Sequence, residues 1–146
     1  MYRLMPSDAF GFELRDHTAD IALFVWGDRL EALFRAAADG LYAAIGEIHA
    51  HSPCARERLD IHAHDTESLL HDFLDELLFR FETRGQRLGD FTFDRLDDTL
   101  LMATAAVSVV DATTSILDRE VKAVTYHDLN IVRTPGRYEV TIILDI

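Results

Sequence analysis

The chain has 146 residues, a formal net charge of −12, 49% hydrophobic residues, seven glycines and three prolines. That length and composition suit one globular domain over residues 1–146 with one core, and they exclude a disordered or low-complexity chain. A surface this acidic repels phosphate backbones, which argues against strong direct nucleic-acid binding and suits a basic protein partner, a hard cation or plain solubility.

A single cysteine, Cys54, excludes an intrachain disulfide and fits a reducing compartment. Residues 1–10 carry no apolar segment of the signal-peptide kind, and no apolar run approaches the roughly 20 residues that span a bilayer. The expectation is a cytoplasmic protein with no membrane association.

In chain order, residues 12–15 read as a short strand, interrupted by the polar stretch Asp16-His17-Thr18-Ala19-Asp20. Residues 21–26 form a second β-prone run ended by Gly27. Asp28 then opens a helix, with Glu31 three residues later in a capping-box arrangement. Leu30, Leu33, Phe34, Ala37, Leu41, Ala44 and Ile45 follow the spacing of one buried helical face. Gly46 is placed to end this helix in a left-handed conformation.

After a polar loop over 47–54, residues 55–63 read as a strand. A second helix begins near Asp65 or Thr66, carries a wide stripe from Leu69 to Phe81, and ends at Gly85. Residues 87–94, 100–111, 119–125 and 127–133 are expected strands. Thr134-Pro135-Gly136 is a turn, and Tyr138, Val140, Ile142 and Leu144 alternate with polar or outward residues as a last strand. The pattern predicts an α+β fold: two helices packed on a mainly antiparallel sheet.

Few residue patterns carry recognisable chemistry. No GxSxG, P-loop or GxGxxG occurs, and Cys54 follows Pro53 in a polar loop without a glycine-rich oxyanion turn. His49, His51, His62, His64 and His71 crowd one stretch together with Cys54. Alternating histidines on a strand share a face and suit Zn²⁺, yet no HExxH or CxxC is present, so surface histidines are the alternative.

Several blocks, taken together and in order, resemble the archeases. They are Asp16-His17-Thr18-Ala19-Asp20-Ile21, the Trp26-to-Phe34 block, the Ser68-to-Leu78 block, the Glu120-to-His127 block, and Ile143-Leu144-Asp145-Ile146. Two departures are Ala22, where the family usually has Gly, and Asp75, where it often has Asn. The first restricts the backbone after Asp20. The second adds negative charge near an expected contact surface.

The resemblance implies a metal site made by Asp20, Asp145 and the backbone carbonyl of Ile146, holding one divalent cation, Ca²⁺ or Mg²⁺, with calcium favoured. Both carboxylates are hard oxygen donors that suit such ions. Held together, and with the terminal carboxylate nearby, they would repel unless a cation neutralised them. On residue type alone, Asp20 reads as a turn or strand-edge residue and Asp145 as a terminal one.

It also implies a partner, a 3′-phosphate (RtcB-type) RNA ligase acting in tRNA splicing or RNA repair. Archeases promote the ligase's guanylylation and turnover without catalysis of their own. His17, Glu120, Lys122 and His127 are the expected partner contacts. Lys122 is the only lysine, and its alternative reading is ordinary solvation. Asp72, Asp75 and Glu76 read as a solvated helix face. Two rival functions are a metal-dependent phosphoesterase using Asp20, Asp145 and His17, and a general chaperone or scaffold.

Overall fold

The computed structural model describes residues 9–16 and 19–146. Its elements are β1 (Phe10–Asp16), β2 (Asp20–Gly27), α1 (Leu30–Ile45), β3 (Gly46–Glu47), β4 (Ala55–His62) and α2 (Thr66–Arg84). There follow β5 (Gln86–Leu96), β6 (Leu100–Val109), β7 (Ile116–Leu117), β8 (Ala123–Val124), β9 (Val132–Thr134) and β10 (Arg137–Asp145). His17, and residues 1–8 that were read for a leader segment, lie outside the described residues.

The alternating segment at the end of the sequence becomes β10, the strand that organises the larger sheet. It pairs antiparallel with β2, β8 and β9, and β2 pairs in turn with β1. Val140, Ile142 and Leu144 are buried with Ile21, Leu23 and Val25 of β2, as a period of two requires. A second antiparallel sheet runs β4-β6-β5, and β3 pairs with β7. Both helices touch both larger sheets, and one continuous core joins all of these elements. The α+β reading is therefore met.

The helices show where local pattern decides and where it does not. α2 begins as its sequence suggests: the Asp65 carboxylate accepts a hydrogen bond from the Ser68 amide at 2.8 Å. It ends at Gly85, whose φ of 61° and ψ of 36° are left-handed, with its N–H directed at the Arg80 and Phe81 carbonyls. α1 differs from its sequence reading at both ends. Its N-cap is Arg29 and makes no side-chain capping bond, so Asp28 and Glu31 form no capping box. Gly46 adopts φ 152° and ψ −160°, outside the left-handed helical region. Ala36, Ala38 and Gly40 are buried beside the expected stripe, because α1 has sheet on more than one side.

Two expected strands are shorter than the sequence pattern suggests. Before β8, the Asp118 and Arg119 amides bond to the Ile45 carbonyl, so this stretch closes the end of α1 instead of extending a sheet. After β8, the chain turns at Tyr126–Leu129, with the Leu129 amide on the Tyr126 carbonyl and Asp128 at φ 52°.

Between α2 and β4, Arg80 lies only 11% exposed and bonds Glu57 and Glu76, each at 2.7 Å. Burial opposes its charge, but the hydrogen bonds to the two glutamates outweigh that and raise its pKa. Arg80→Ala leaves two carboxylates facing each other without their cation. Breaking a fully buried pair costs about 3–5 kcal/mol. Because the glutamates are partly exposed, we expect a loss of about 2 kcal/mol in urea unfolding, and Arg80→Lys should recover part of it.

Candidate functional site

Asp20 opens β2, Asp145 closes β10, and the antiparallel register sets the two directly opposite each other. Opposed residues project to the same face, with Cβ atoms about 4.5–5.5 Å apart. The adjoining pair, Ile21 and Leu144, is buried in the core, so the two aspartates lie on the outward face. Asp20 is half-buried, with its Oδ1 shielded from solvent, whereas Asp145 is exposed. On the other side of β10, Ala123 stands opposite Asp145, and the Lys122 amide donates to the Asp145 carbonyl at 2.7 Å. Ile146 is half-buried and packs its side chain against the core.

This arrangement fits a hard divalent cation. The two carboxylates come from adjacent hydrogen-bonded strands, so their separation is set by the sheet and not by flexible loops. They are also few. Among the described residues no group of three or more His, Cys, Asp or Glu side chains is arranged to hold a metal. A cation here would draw its remaining oxygens from backbone carbonyls such as that of Ile146, from water or from a ligand.

The expected partner contacts fall near this tip. Glu120, Lys122 and His127 are all exposed, and His127 Nε2 lies 3.3 Å from Asp128 Oδ2. Lys122 forms no ion pair among the described residues, so its ammonium is available to an external group. His17 is outside the described residues.

The histidines of the 49–71 stretch go separate ways. His49 faces Glu47, His64 faces Asp65, and Cys54 Sγ lies 3.5 Å from the Val107 carbonyl. His71 is no surface histidine, since its side chain is only 12% exposed. Its Nε2 is 2.8 Å from the Val124 carbonyl, its Nδ1 is 3.0 Å from Asp72 Oδ1, and its ring stacks on Tyr126 at 3.8 Å. The Tyr126 hydroxyl also donates to Asp72 Oδ1, at 3.3 Å. Asp72 is therefore half-buried in a contact that ties α2 to β8, the neighbour of Asp145 on β10. Asp75 is exposed as expected, while Glu76 is engaged by Arg80.

A supporting role that sequence reading missed belongs to Arg119, whose Nη1 donates to the Ala44 carbonyl at 2.5 Å. It satisfies a terminal carbonyl of α1 and fixes the stretch that leads to Glu120 and Lys122. An arginine after a polar loop gives no sequence signal for that contact.

Comparison with known proteins matches residues 12–146 to the archease protein family. A protein archease of Methanopyrus kandleri is 33% identical over 134 residues, covering 90% of this chain and 96% of the relative. One from Pyrococcus furiosus is 34% identical over 139 residues, covering 92% and 98%. Among solved structures, protein 1598 of Methanobacterium thermoautotrophicum superposes with a TM-score of 0.72 at 33% identity, covering 93% of this chain and 99% of that one. The fold is also that of a Thermotoga maritima protein described as an archease and possible chaperone, with a TM-score of 0.65 at 20% identity, covering 99% of this chain and all of that one. A match over nearly the whole sequence, in the same order and with the same fold, means that the chain belongs to the archease family.

Proposed function

We propose that this chain is a cation-carrying accessory protein of a 3′-phosphate/5′-hydroxyl (RtcB-type) RNA ligase. It promotes guanylylation and repeated turnover of that ligase in tRNA splicing or RNA repair, and the bond-making chemistry belongs to the ligase. The observation that carries this reading is the opposed pair Asp20 and Asp145 at the sheet tip, with exposed Lys122 beside it. Asp20, Asp145 and the Ile146 carbonyl would hold Ca²⁺ or Mg²⁺, which supplies positive charge to phosphate oxygens when bound.

The chain's own contribution is positional. The sheet fixes the two carboxylates, the Lys122 amide secures the Asp145 backbone, and the His71–Tyr126–Asp72 contact holds β8 against α2. Charged groups fixed before the partner arrives need no reorganisation on binding, so their effect on a developing charge is larger than that of mobile ones. A cytoplasmic location suits this role, and among the described residues no helix is long and apolar enough to cross a membrane.

Single-turnover guanylylation of the cognate ligase, with and without this protein, tests the proposal. We expect the rate to rise when the protein is added, and Lys122→Glu to lower that gain. An unchanged rate would reject the accessory role. The phosphoesterase alternative requires phosphatase or nuclease activity of the purified chain alone. The chaperone alternative requires metal-independent suppression of client aggregation.

Because the chain carries −12 and RNA-handling enzymes present basic channels, charge should steer the encounter. Screening shortens from about 8 Å at 0.15 M salt to about 3 Å at 1 M. Stopped-flow measurement should therefore show association slowing steeply with salt and dissociation changing less. A flat salt dependence would leave shape complementarity as the basis of recognition.

A further inference from the structure

Beside the tip, a groove of about 580 Å³ opens between the ends of α1 and α2 and the chain segment 117–121. Its floor is apolar, built from Ile45, Leu78 and Val121, with Phe81 half-buried alongside. At the rim Leu117 is 56% exposed and the adjoining Ile116 60% exposed. Such large side chains are left in water next to a concave apolar floor.

The opposite character lies along one wall, where Glu82 and Glu120 line the groove and both are exposed. Arg119 shares the groove, but its guanidinium is directed to the Ala44 carbonyl and it forms no ion pair with either glutamate among the described residues. Partial burial raises the Glu82 pKa, and the negative charges of Glu120 and Asp75 raise it further. The three carboxylates thus repel one another, and none of them forms an ion pair among the described residues.

We propose that this groove docks a segment of a partner protein that inserts an apolar side chain against Leu117 and Phe81 and lays arginine or lysine over Glu82 and Glu120. The inference rests on the accessory role above and names where on this chain the ligase is held. Charge complementarity selects the occupant: a chain of −12 with an acidic wall repels phosphate-bearing polymers and anionic lipid, and it attracts a basic peptide. The groove is also linked to the tip along the chain. Glu120 is two residues from Lys122, whose amide is bonded to Asp145, so one partner can occupy both at once. In this division of labour the apolar anchor sets residence time and the acidic wall sets encounter rate.

The probe is the purified cognate ligase, captured on a biosensor, with the full-length chain as analyte. Leu117→Ser changes an exposed side chain and should raise the dissociation rate at least tenfold. The double variant Glu82→Gln, Glu120→Gln should lower the association rate at least fivefold and flatten its salt dependence. Val132→Ser, at another exposed apolar position, should bind as the parent does. Melting curves matching the parent keep a folding defect from imitating these effects. If the parent binds and activates the ligase while all three variants bind equally well, the groove is not the dock and the accessory role stands. If the parent shows no binding to the ligase, both ideas fall. A carbodiimide crosslink from Glu82 or Glu120 to a ligase lysine would place the basic segment directly, whereas crosslinks confined to carboxylates elsewhere on the chain would contradict the proposal.

Discussion

Replacing Asp20 by Asn is expected to lower the affinity for Ca²⁺ or Mg²⁺ by at least 100-fold while leaving the protein folded. The substitution keeps the size and one oxygen of the side chain but removes its charge, and among the described residues no third acidic side chain joins Asp20 and Asp145 as a metal-holding group. Calorimetric titration of the parent, Asp20→Asn and Asp145→Asn reads the effect directly. Stability offers an independent readout. A ligand that binds only the folded state stabilises it by about 2.7 kcal/mol at a hundred times its dissociation constant. For a chain of this size that is a rise in melting temperature of several degrees, at roughly 2–4 °C per kcal/mol. The parent should show that rise on addition of the cation and both variants should lose it.

The opposite sign is expected without metal. Like charges directly opposed on neighbouring strands destabilise a sheet by roughly 0.2–1 kcal/mol, so cation-free Asp145→Asn should melt slightly above the cation-free parent. Equal cation binding by parent and Asp20→Asn would remove Asp20 from the site. A parent that binds neither ion would reject the cation-carrying part of the proposal.

Why local pattern alone leaves this pair unspecified is a matter of range. Local sequence specifies what an element is, through period, caps and turns, and it did so well for α2 and β10. Asp65 caps α2 through the Ser68 amide, and Gly85 closes it in the left-handed region. The alternation of Val140, Ile142 and Leu144 points three side chains into the core. Register is a different quantity. It depends on which strand a strand meets, and the meeting of Asp20 with Asp145 joins opposite ends of the chain. The family resemblance implied that meeting, whereas composition and spacing left Asp20 as a turn or strand-edge residue, and it does open β2.

His71 makes the same point from the other direction. In sequence it belongs to a run of histidines with the spacing of a surface or zinc-binding cluster. In the fold it is nearly buried, because its position on α2 brings it under β8, where the Val124 carbonyl offers a hydrogen-bond acceptor. A helical wheel places His71 at the edge of the apolar stripe but cannot say what lies across from that edge. Asp72 stays partly solvated, yet its carboxylate is engaged by His71 and Tyr126 for the same reason. The pairing of Gly46 with Leu117, and the closing of α1 by the Asp118 and Arg119 amides, are likewise long-range contacts without a local signature.

The start of α1 shows a local rule yielding to packing, and it leads to the second large expected effect. Asp28 and Glu31 have capping-box spacing, yet the helix begins at Leu30 with no side-chain cap. The end of β2 lies directly against the first turn of α1. A Cβ built on Gly27 would stand 2.5 Å from the Leu33 amide nitrogen, 2.9 Å from the Ala32 carbonyl carbon and 3.0 Å from the Leu33 Cα. All three are backbone atoms, so no side chain can rotate away to admit the methyl group.

Gly27→Ala must therefore separate β2 from α1 at the junction where sheet and helix share the core. Overpacking typically costs about 1–3 kcal/mol, and a clash with backbone belongs at or above the top of that range. We expect a loss of about 3 kcal/mol and a melting temperature lower by roughly 6–12 °C. In urea the midpoint should fall with little change in slope, because the same surface is exposed on unfolding. Gly85→Ala provides the internal scale. Its Cβ would meet nothing within 4 Å, so only the left-handed φ of 61° opposes it, at roughly 1–2 kcal/mol. The order of the two substitutions is what the packing argument fixes: if Gly85→Ala proved the more damaging, the close approach of β2 to α1 would not be what Gly27 is there to allow. The effect on the tip should stay small, since Asp20 sits at the other end of the same strand, and Gly27→Ala protein that remains folded at low temperature should bind cation as the parent does.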